Sequence, residues 1–118
     1  MKPLAEQGDP FAQFFLGGMY GKEQGVPQDY KTAVKWFTLA AEQGHGAGQI
    51  RLGVMYHTGE GVPKDNVYAH MWWNIAASSG EKEAVKNRDI VAKRMNSNQI
   101  EKAQKLAHEC VRKKYKGC

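Results

Sequence analysis

The sequence predicts an all-α fold, a right-handed α-solenoid of helix-turn-helix repeats that ends in a divergent C-terminal capping helix pair. Three observations predict it: a pattern that returns after 36 residues, apolar residues at helical spacing within each copy, and a Gly-Val-Pro segment between the helical stretches. A fixed period of this length indicates stacked repeats, because one such unit cannot bury its apolar face alone. The length of 118 residues favours a single domain spanning 1–118.

The repeat becomes visible when the sequence is displaced by 36 residues and compared with itself. The displacement superposes Ala5 on Ala41, Gly8 on Gly44, Leu16 on Leu52, Gly17 on Gly53, Tyr20 on Tyr56, Asp29 on Asp65 and Trp36 on Trp72. So many identities at a single offset exclude coincidence. They delimit repeat one as 5–40, repeat two as 41–76, and a divergent third unit with the cap as 77–118.

The N-terminal end presents apolar residues with little to cover them. Residues 1–8 resemble the end of a second helix, and Phe11, Phe14 and Phe15 follow directly. We therefore expect further repeats or a removed leader in the natural protein, or contact with another chain, most simply a homodimer through the N-terminal helix. The alternative is that residues 1–7 fold back as a short helical turn and cover the rings.

Each repeat begins with a helix, since Ala12, Leu16 and Tyr20 are spaced by four residues and share one helical face. Gly17 lies inside this helix, where glycine costs about 1 kcal/mol relative to alanine. Its presence predicts a close approach by the neighbouring helix. We expect Trp36 to lie across that gap in repeat one and Trp72 in repeat two.

A turn and a second helix complete the repeat. Gly25 supplies the left-handed residue that ends the first helix, and Pro27 prevents that helix from continuing. Asp29 is placed to cap the second helix by accepting an amide proton, and Asp65 has the same place in repeat two. The apolar face of the second helix in repeat one comprises Ala33, Trp36, Phe37 and Ala40.

The combined pattern resembles a known repeat family. It reads A-x-x-G-x-x-x-A-x-x-x-L-G-x-x-Y, then G-V-P-x-D, then A-x-x-W-x-x-x-A-A-x-x-G, and it resembles the Sel-one-like repeat (SLR), a relative of the tetratricopeptide repeat. The match covers residues 5–80 as two units, with Gly48 in place of a small alanine. The resemblance implies an α-solenoid and an adaptor role in which helix faces bind a peptide or a protein. Members of that family are often exported bacterial proteins, although some work in the cytosol or the endoplasmic reticulum.

The C-terminal third departs from the repeat. Ala84 keeps its place, but Arg88-Asp89 stands where Leu-Gly is expected, and no Gly-Val-Pro segment follows. Asn96 and Gln99 have the spacing of a capping box at the start of a last helix. About six helices are expected in all, with breaks near 22–29, 44–47, 58–65, 79–82 and 95–98.

Positive charge is concentrated in this C-terminal part. Residues 81–118 hold eleven Lys and Arg against five Asp and Glu, whereas residues 1–80 hold six against seven. A solvated helix face explains this pattern, and so does an acidic partner surface such as a protein, a phospholipid headgroup or a nucleic acid. Nucleic acid is disfavoured, because no aromatic residues interleave with the lysines as a stacking platform needs.

The two cysteines predict a disulfide in oxidising conditions. In one continuous helix Cys110 and Cys118 would be about 12 Å apart, too far for a bond, but Gly117 allows the tail to turn back. The alternative is one buried thiol and one free thiol. The disulfide favours the periplasm or the exterior over the cytosol. No apolar run approaches the roughly 18 residues that a membrane span needs, and no secretory signal is visible.

Catalytic and metal motifs are not found. The four histidines, which are His45, His57, His70 and His108, belong to no nucleophile or metal pattern and are expected at the surface. Two cysteines and His108 lack ligand spacing, so no metal site and no cofactor is predicted. An enzyme or a small-ligand binder is the weakest of three hypotheses, after an interaction module and a binder of anionic surfaces through the basic cap.

By analogy with related repeats, the partner would bind to the inner face formed by the first helices of the units. This face is predicted to carry Phe11, Phe14, Gly18 and Lys22 in the first unit, Ala47, Ile50, Val54, His57 and Thr58 in the second, and Lys86, Ile90 and Lys93 in the third. The result would be a mixed apolar and basic groove. Such a groove suits a peptide with apolar anchors and acidic neighbours.

Overall fold

The computed structural model describes residues 2–22 and 26–118, and this part of the chain forms seven α-helices. They are α1 (Lys2–Glu6), α2 (Pro10–Lys22), α3 (Tyr30–Ala41), α4 (Gly46–Thr58), α5 (Asn66–Ser78), α6 (Lys82–Ala92) and α7 (Ser97–Arg112). The helix α2 packs on α3, and α4 packs on α5, as helix-turn-helix repeats require. The predicted α-solenoid is confirmed, and the short α1 adds one helix to the six expected.

The N-terminal caps of the second helices are the predicted aspartates. The Asp29 carboxylate accepts a hydrogen bond from the Thr32 backbone N–H at the start of α3. The Asp65 carboxylate accepts the equivalent hydrogen bond from the Tyr68 backbone N–H at the start of α5. The hydroxyl and the amide of Thr32 hold the pKa of Asp29 below its ordinary value. These bonds satisfy amide groups that the helix itself leaves without partners.

Glycine ends the first helix of repeat two, but not at the expected position. Gly59 is the C-cap of α4, with a left-handed φ of 78°, and Gly61 in the loop has a φ of 80°. Gly61 corresponds to Gly25 of repeat one, which lies outside the described residues. A second glycine is needed at position 61 because an added Cβ would collide with the Tyr30 carbonyl of the preceding repeat.

The glycines inside the first helices do allow close packing, but the tryptophan prediction was wrong by one residue. A Cβ on Gly17 would lie 2.7 Å from the ring of Phe37, and one on Gly53 would overlap the indole of Trp73. Adjacent residues of a helix point about 100° apart. Trp36 is therefore buried on another side of α3, against Ala12 and Leu16, and Trp72 is likewise buried, within the main core.

A repeated glutamine connects each first helix to the unit before it. Gln13 donates its side-chain amide to the Ala5 carbonyl, and Gln49 donates to the Ala41 carbonyl, each at 3.1 Å. Both glutamines are buried. In repeat one the acceptor side of Gln13 is also satisfied, because Gln43 donates to its Oε1 at 2.9 Å. In repeat two the residue equivalent to Gln43 is Ser79, and Gln49 Oε1 accepts no hydrogen bond from a protein group.

This difference predicts a stabilising substitution. Ser79→Gln should place an amide donor beside Gln49 Oε1, as Gln43 does beside Gln13, and raise the free energy of unfolding by about 1 kcal/mol. Urea denaturation would measure the gain. The control is Ser79→Glu, which has the same reach but no donor at neutral pH, and which should give no gain. An equal rise in both variants would contradict the hydrogen-bond explanation.

The C-terminal cap is built differently from the repeats. The helices α6 and α7 each pack on α5, and they make few contacts with each other. Arg88-Asp89 stands where the repeats have a Leu-Gly pair, whose glycine lets the second helix approach. Arg88 instead donates from Nη1 to the Asn74 side chain of α5 at 3.1 Å and pairs with Asp89. The predicted capping box is present at the start of α7, where the backbone N–H of each of Asn96 and Gln99 donates a hydrogen bond to the side-chain oxygen of the other.

The helix α1 covers one side of α2 but not the phenylalanines. Ala5 is buried against Ala12 and Trp36, whereas Leu4 is 51% exposed. Phe11 and Phe15 remain 58% and 43% exposed. Within the described residues 2–7, a fold-back that covers the rings of Phe11 and Phe15 is therefore not observed.

Candidate functional site

Two grooves open on the face that α2, α4 and α6 form together. The wide groove, a cavity of about 320 Å³, lies between α2 and α4. The narrow groove, of about 150 Å³, lies between α4 and α6. Val54 of α4 borders both. The two grooves therefore follow one another along the first helices of the three units.

The wide groove has an apolar floor and charged rims. Phe14 packs on Phe37 with ring centroids 5.9 Å apart, and Met55 and Val54 line the opposite wall. Gly18 leaves room above this floor, because a Cβ added there would meet no atom within 4 Å. The charged residues at the rims are Lys22, Arg51 and Glu60, of which the two cations are exposed.

The narrow groove is smaller and has fixed polar groups. The Nδ1 atom of His57 lies 3.0 Å from the Asn66 side-chain oxygen, and the imidazole packs 5.7 Å from the ring of Trp73. The Trp73 indole donates in turn to the Ile50 carbonyl at 3.0 Å. Ile90 of α6 is 50% exposed beside them and offers an apolar contact to a partner.

The structure brings most, but not all, of the predicted face residues together. Those that line a groove are Phe14, Gly18, Lys22, Val54, His57 and Ile90. Lys86 and Lys93 are exposed on α6, and the ring of Phe11 packs edge-on against that of Phe15, with centroids 4.8 Å apart. Lys86, Lys93 and Phe11 line neither groove. Ala47 and Thr58 also lie outside both. Their part in binding stays a prediction.

Ile50 has to be corrected as a site residue. It is only 5% exposed, because Trp73 and Ala84 pack over it, and it belongs to the core between α4, α5 and α6. The equivalent Phe14 of repeat one remains half-buried. A partner cannot contact the Ile50 side chain without displacing core residues.

Several groove residues were missed from the sequence. They are Phe15, Met19, Tyr30 and Phe37 around the wide groove, with Arg51 and Glu60, and Asn87 in the narrow one. The sequence contained a signal for two of them, because Phe15 and Arg51 occupy equivalent positions in the two repeats, directly after the predicted face residues Phe14 and Ile50. The inner face is wider than the single helical stripe from which it was predicted.

One histidine, His70, is buried and not at the surface as expected, and a second, His45, is half-buried. His70 is 3% exposed, and burial lowers its pKa, assisted by the charge of Arg88. Burial also lowers the pKa of His45, although the carboxylates of Glu81 and Asp9 partly offset this effect. Both rings are therefore mainly neutral at pH 7. Among residues 2–22 and 26–118, no three His, Cys, Asp or Glu side chains are grouped to hold a metal ion.

The C-terminal cap exposes its basic residues and carries a disulfide. Cys110 of α7 is bonded to Cys118, with Cα atoms 5.6 Å apart. The exposed cations beside this bond are Arg112, Lys113, Lys114 and Lys116. An anionic partner at this cluster stays a prediction. Within the described residues, no helix has both the length and the apolar character that crossing a membrane would need.

Comparison with known proteins identifies the family to which this repeat architecture corresponds. The family model described as Sel1 repeat matches residues 10–45 and 46–81, which together make up more than half of the chain. The matched copies begin five residues later than the repeats delimited from the sequence, with the same length. A search of curated proteins gave no match.

The solved structures that are similar to the chain include two repeat proteins. A protective antigen of uropathogenic Escherichia coli that displays an SLR fold matches 94% of this chain at 35% identity with a TM-score of 0.90. A Sel1 repeat protein from Oxalobacter formigenes matches 72% of it at 40% identity with a TM-score of 0.70. The match covers 24% of the first of those proteins and 64% of the second.

Proposed function

The chain belongs to the Sel1 repeat family, a non-catalytic repeat scaffold whose members generally act as protein-interaction modules, and on that premise we propose that it binds a peptide segment of a partner protein in the wide groove. The observation that carries the proposal is the composition of this groove. An apolar floor lies open between two exposed cations, and no described residue of the chain fills the space above Gly18.

The chemistry of the groove selects the kind of segment it accepts. The accessible apolar residues of the groove, Phe14, Phe15 and Val54, offer area for one or two large side chains, each contributing about 1.5–3 kcal/mol on burial. Phe37 and Met55 are buried beneath them. At the rims Lys22 and Arg51 outnumber Glu60, and they favour carboxylates beside those anchors. The bound segment is thus apolar with acidic neighbours, and the narrow groove beyond Val54 accepts a further small apolar side chain.

The test is a selection from a random-peptide library, followed by binding measurements on matched variants. Gly18→Trp should fill the wide groove without straining α2 and weaken a selected peptide at least tenfold. The control Glu101→Trp places the same side chain on an exposed position of α7, away from both grooves, and should bind like the wild type. Circular dichroism confirms that both variants fold.

The outcomes separate the proposal from its rivals. Enriched peptides should contain apolar anchors next to Asp or Glu. Peptides that bind Gly18→Trp as well as the wild type would contradict binding in the wide groove, and so would a selection that enriches no sequence.

A second copy of the chain is the competing occupant of this face. Phe11 and Phe15 are exposed at the N-terminal end of α2, and Phe15 also lines the wide groove. A homodimer through these rings would therefore exclude a peptide. Sedimentation velocity at micromolar concentration decides between them, because a dimer that dissociates on Phe15→Ser, with Glu101→Ser unchanged, identifies the second copy as the occupant.

A further inference from the structure

The C-terminal tail, residues 113–118, folds back onto the body of the protein in a conformation that its residue types do not favour. Lys114 and Tyr115 both have left-handed backbones, with φ of 55° and 68°. For residues with a Cβ this region is disfavoured, and two in succession are uncommon. Such backbone persists only where surrounding contacts hold it.

A backbone hydrogen bond, ring packing and the disulfide hold the tail. The Tyr115 amide donates to the Cys110 carbonyl at 2.9 Å. The Tyr115 ring lies against the turn between α3 and α4, where a Cβ added to Gly44 would be only 3.1 Å from it. The disulfide then ties the last residue, Cys118, back to α7. The tail thus connects the final helix with the junction between repeats one and two.

We propose that the Cys110–Cys118 disulfide is a redox latch: while it is intact it holds the tail and Tyr115 on the turn between α3 and α4, and its reduction releases the tail while the repeats stay folded. The proposal concerns the tail alone and does not depend on the wide groove. None of residues 113–118 is fully buried, and Tyr115 and Cys118 pack only at the edge of the main core, whereas Ala103 and Ala107 of α7 are buried. Release therefore leaves the core intact.

The bond is open to attack at one of its two sulfurs. Cys110 is 1% exposed, but Cys118 is only partly buried, at the edge of a small cavity of about 130 Å³ that Lys113 and Glu109 also line. The thiolate of a small thiol such as glutathione would attack Cys118 Sγ, form a mixed disulfide and release Cys110 as a thiolate, which takes up a proton. A second thiol molecule then displaces Cys118, so that two thiols are oxidised to one disulfide for the one reduced.

Limited trypsin digestion tests the latch, because the tail carries its own cleavage sites. With the bond reduced, or in Cys118→Ser, cleavage after Lys113, Lys114 and Lys116 should become at least tenfold faster than in the oxidised protein. Cleavage after Lys64, in the loop between α4 and α5, should change less than twofold. Intact mass after denaturation and full reduction reports each cut. Equal tail cleavage in both states overturns the proposal, and so does equal acceleration at every site, which would make the bond a global stabiliser.

A second measurement addresses the left-handed backbone directly. In a glutathione redox buffer, Lys114→Gly should shift the thiol–disulfide equilibrium toward the bond by about fivefold, since glycine adopts this backbone without the cost that a Cβ imposes. The matched control is Lys116→Gly, because Lys116 is an exposed tail lysine without a positive φ. An unchanged equilibrium in Lys114→Gly would show that the tail keeps its conformation after reduction, and would overturn the latch.

Discussion

Replacing Trp72 with alanine is expected to lower the free energy of unfolding by about 3–5 kcal/mol. The indole is 2% exposed and lies in the main core, where residues of both repeats meet α7. Phe37 comes from repeat one, Leu52 from repeat two, and Ala107 from the last helix. Removing the ring leaves a cavity that these separate elements cannot close without moving together. Urea denaturation followed by circular dichroism measures the loss.

The natural control is Trp36→Ala, the same change at the equivalent position of repeat one. Trp36 is 8% exposed and packs in a smaller cluster with Ala5, Ala12 and Leu16. Fewer elements depend on it, so we expect a smaller loss than for Trp72→Ala. A Trp72→Ala variant within about 1 kcal/mol of the wild type would be incompatible with a core shared between repeats and cap.

Gly53→Ala is expected to destabilise the protein by about 1–3 kcal/mol, although alanine is the better helix former. A methyl group at this position overlaps the Trp73 indole. The ring must then shift, and its hydrogen bond to the Ile50 carbonyl would lengthen or break. The loss of that bond adds about 1 kcal/mol, because the indole N–H is buried.

Gly18→Ala is the matched comparison, since Gly18 is also inside a first helix but has open space around it. Here the same substitution should stabilise by up to about 1 kcal/mol through helix propensity alone. Thermal unfolding of the two variants should therefore move in opposite directions. A shift of the same sign in both would show that the close approach of Trp73 does not limit residue 53.

The sequence alone was sufficient for the repeat architecture. The 36-residue period, the aspartate caps at Asp29 and Asp65, and the capping box of Asn96 and Gln99 all appear in the structure. These features depend on interactions between residues a few positions apart, which a linear sequence displays directly. The break in the pattern at Arg88-Asp89 likewise marked where the third unit departs from the repeats.

The binding face was only partly predictable. Phe14, Lys22 and Val54 do line the wide groove, because their spacing places them on the exposed side of α2 and α4. Ile50 has the same spacing, yet α6 and Trp73 cover it. Whether a residue on a helical face is open to a partner depends on which neighbouring helix lies over it, and that neighbour is distant in sequence.

The sequence by itself therefore determined the helix-turn-helix repeat, the caps that begin its second helices, and the glycine position at which a neighbouring helix packs closely. Only the tertiary structure decided that Phe37 and Trp73 are those neighbours, that α7 packs on α5 and not on α6, and that the tail returns to Gly44. The physical reason is that local spacing and capping are set within a few residues of chain, whereas side-chain packing is set by the combined shapes of helices from different units, which no single segment contains.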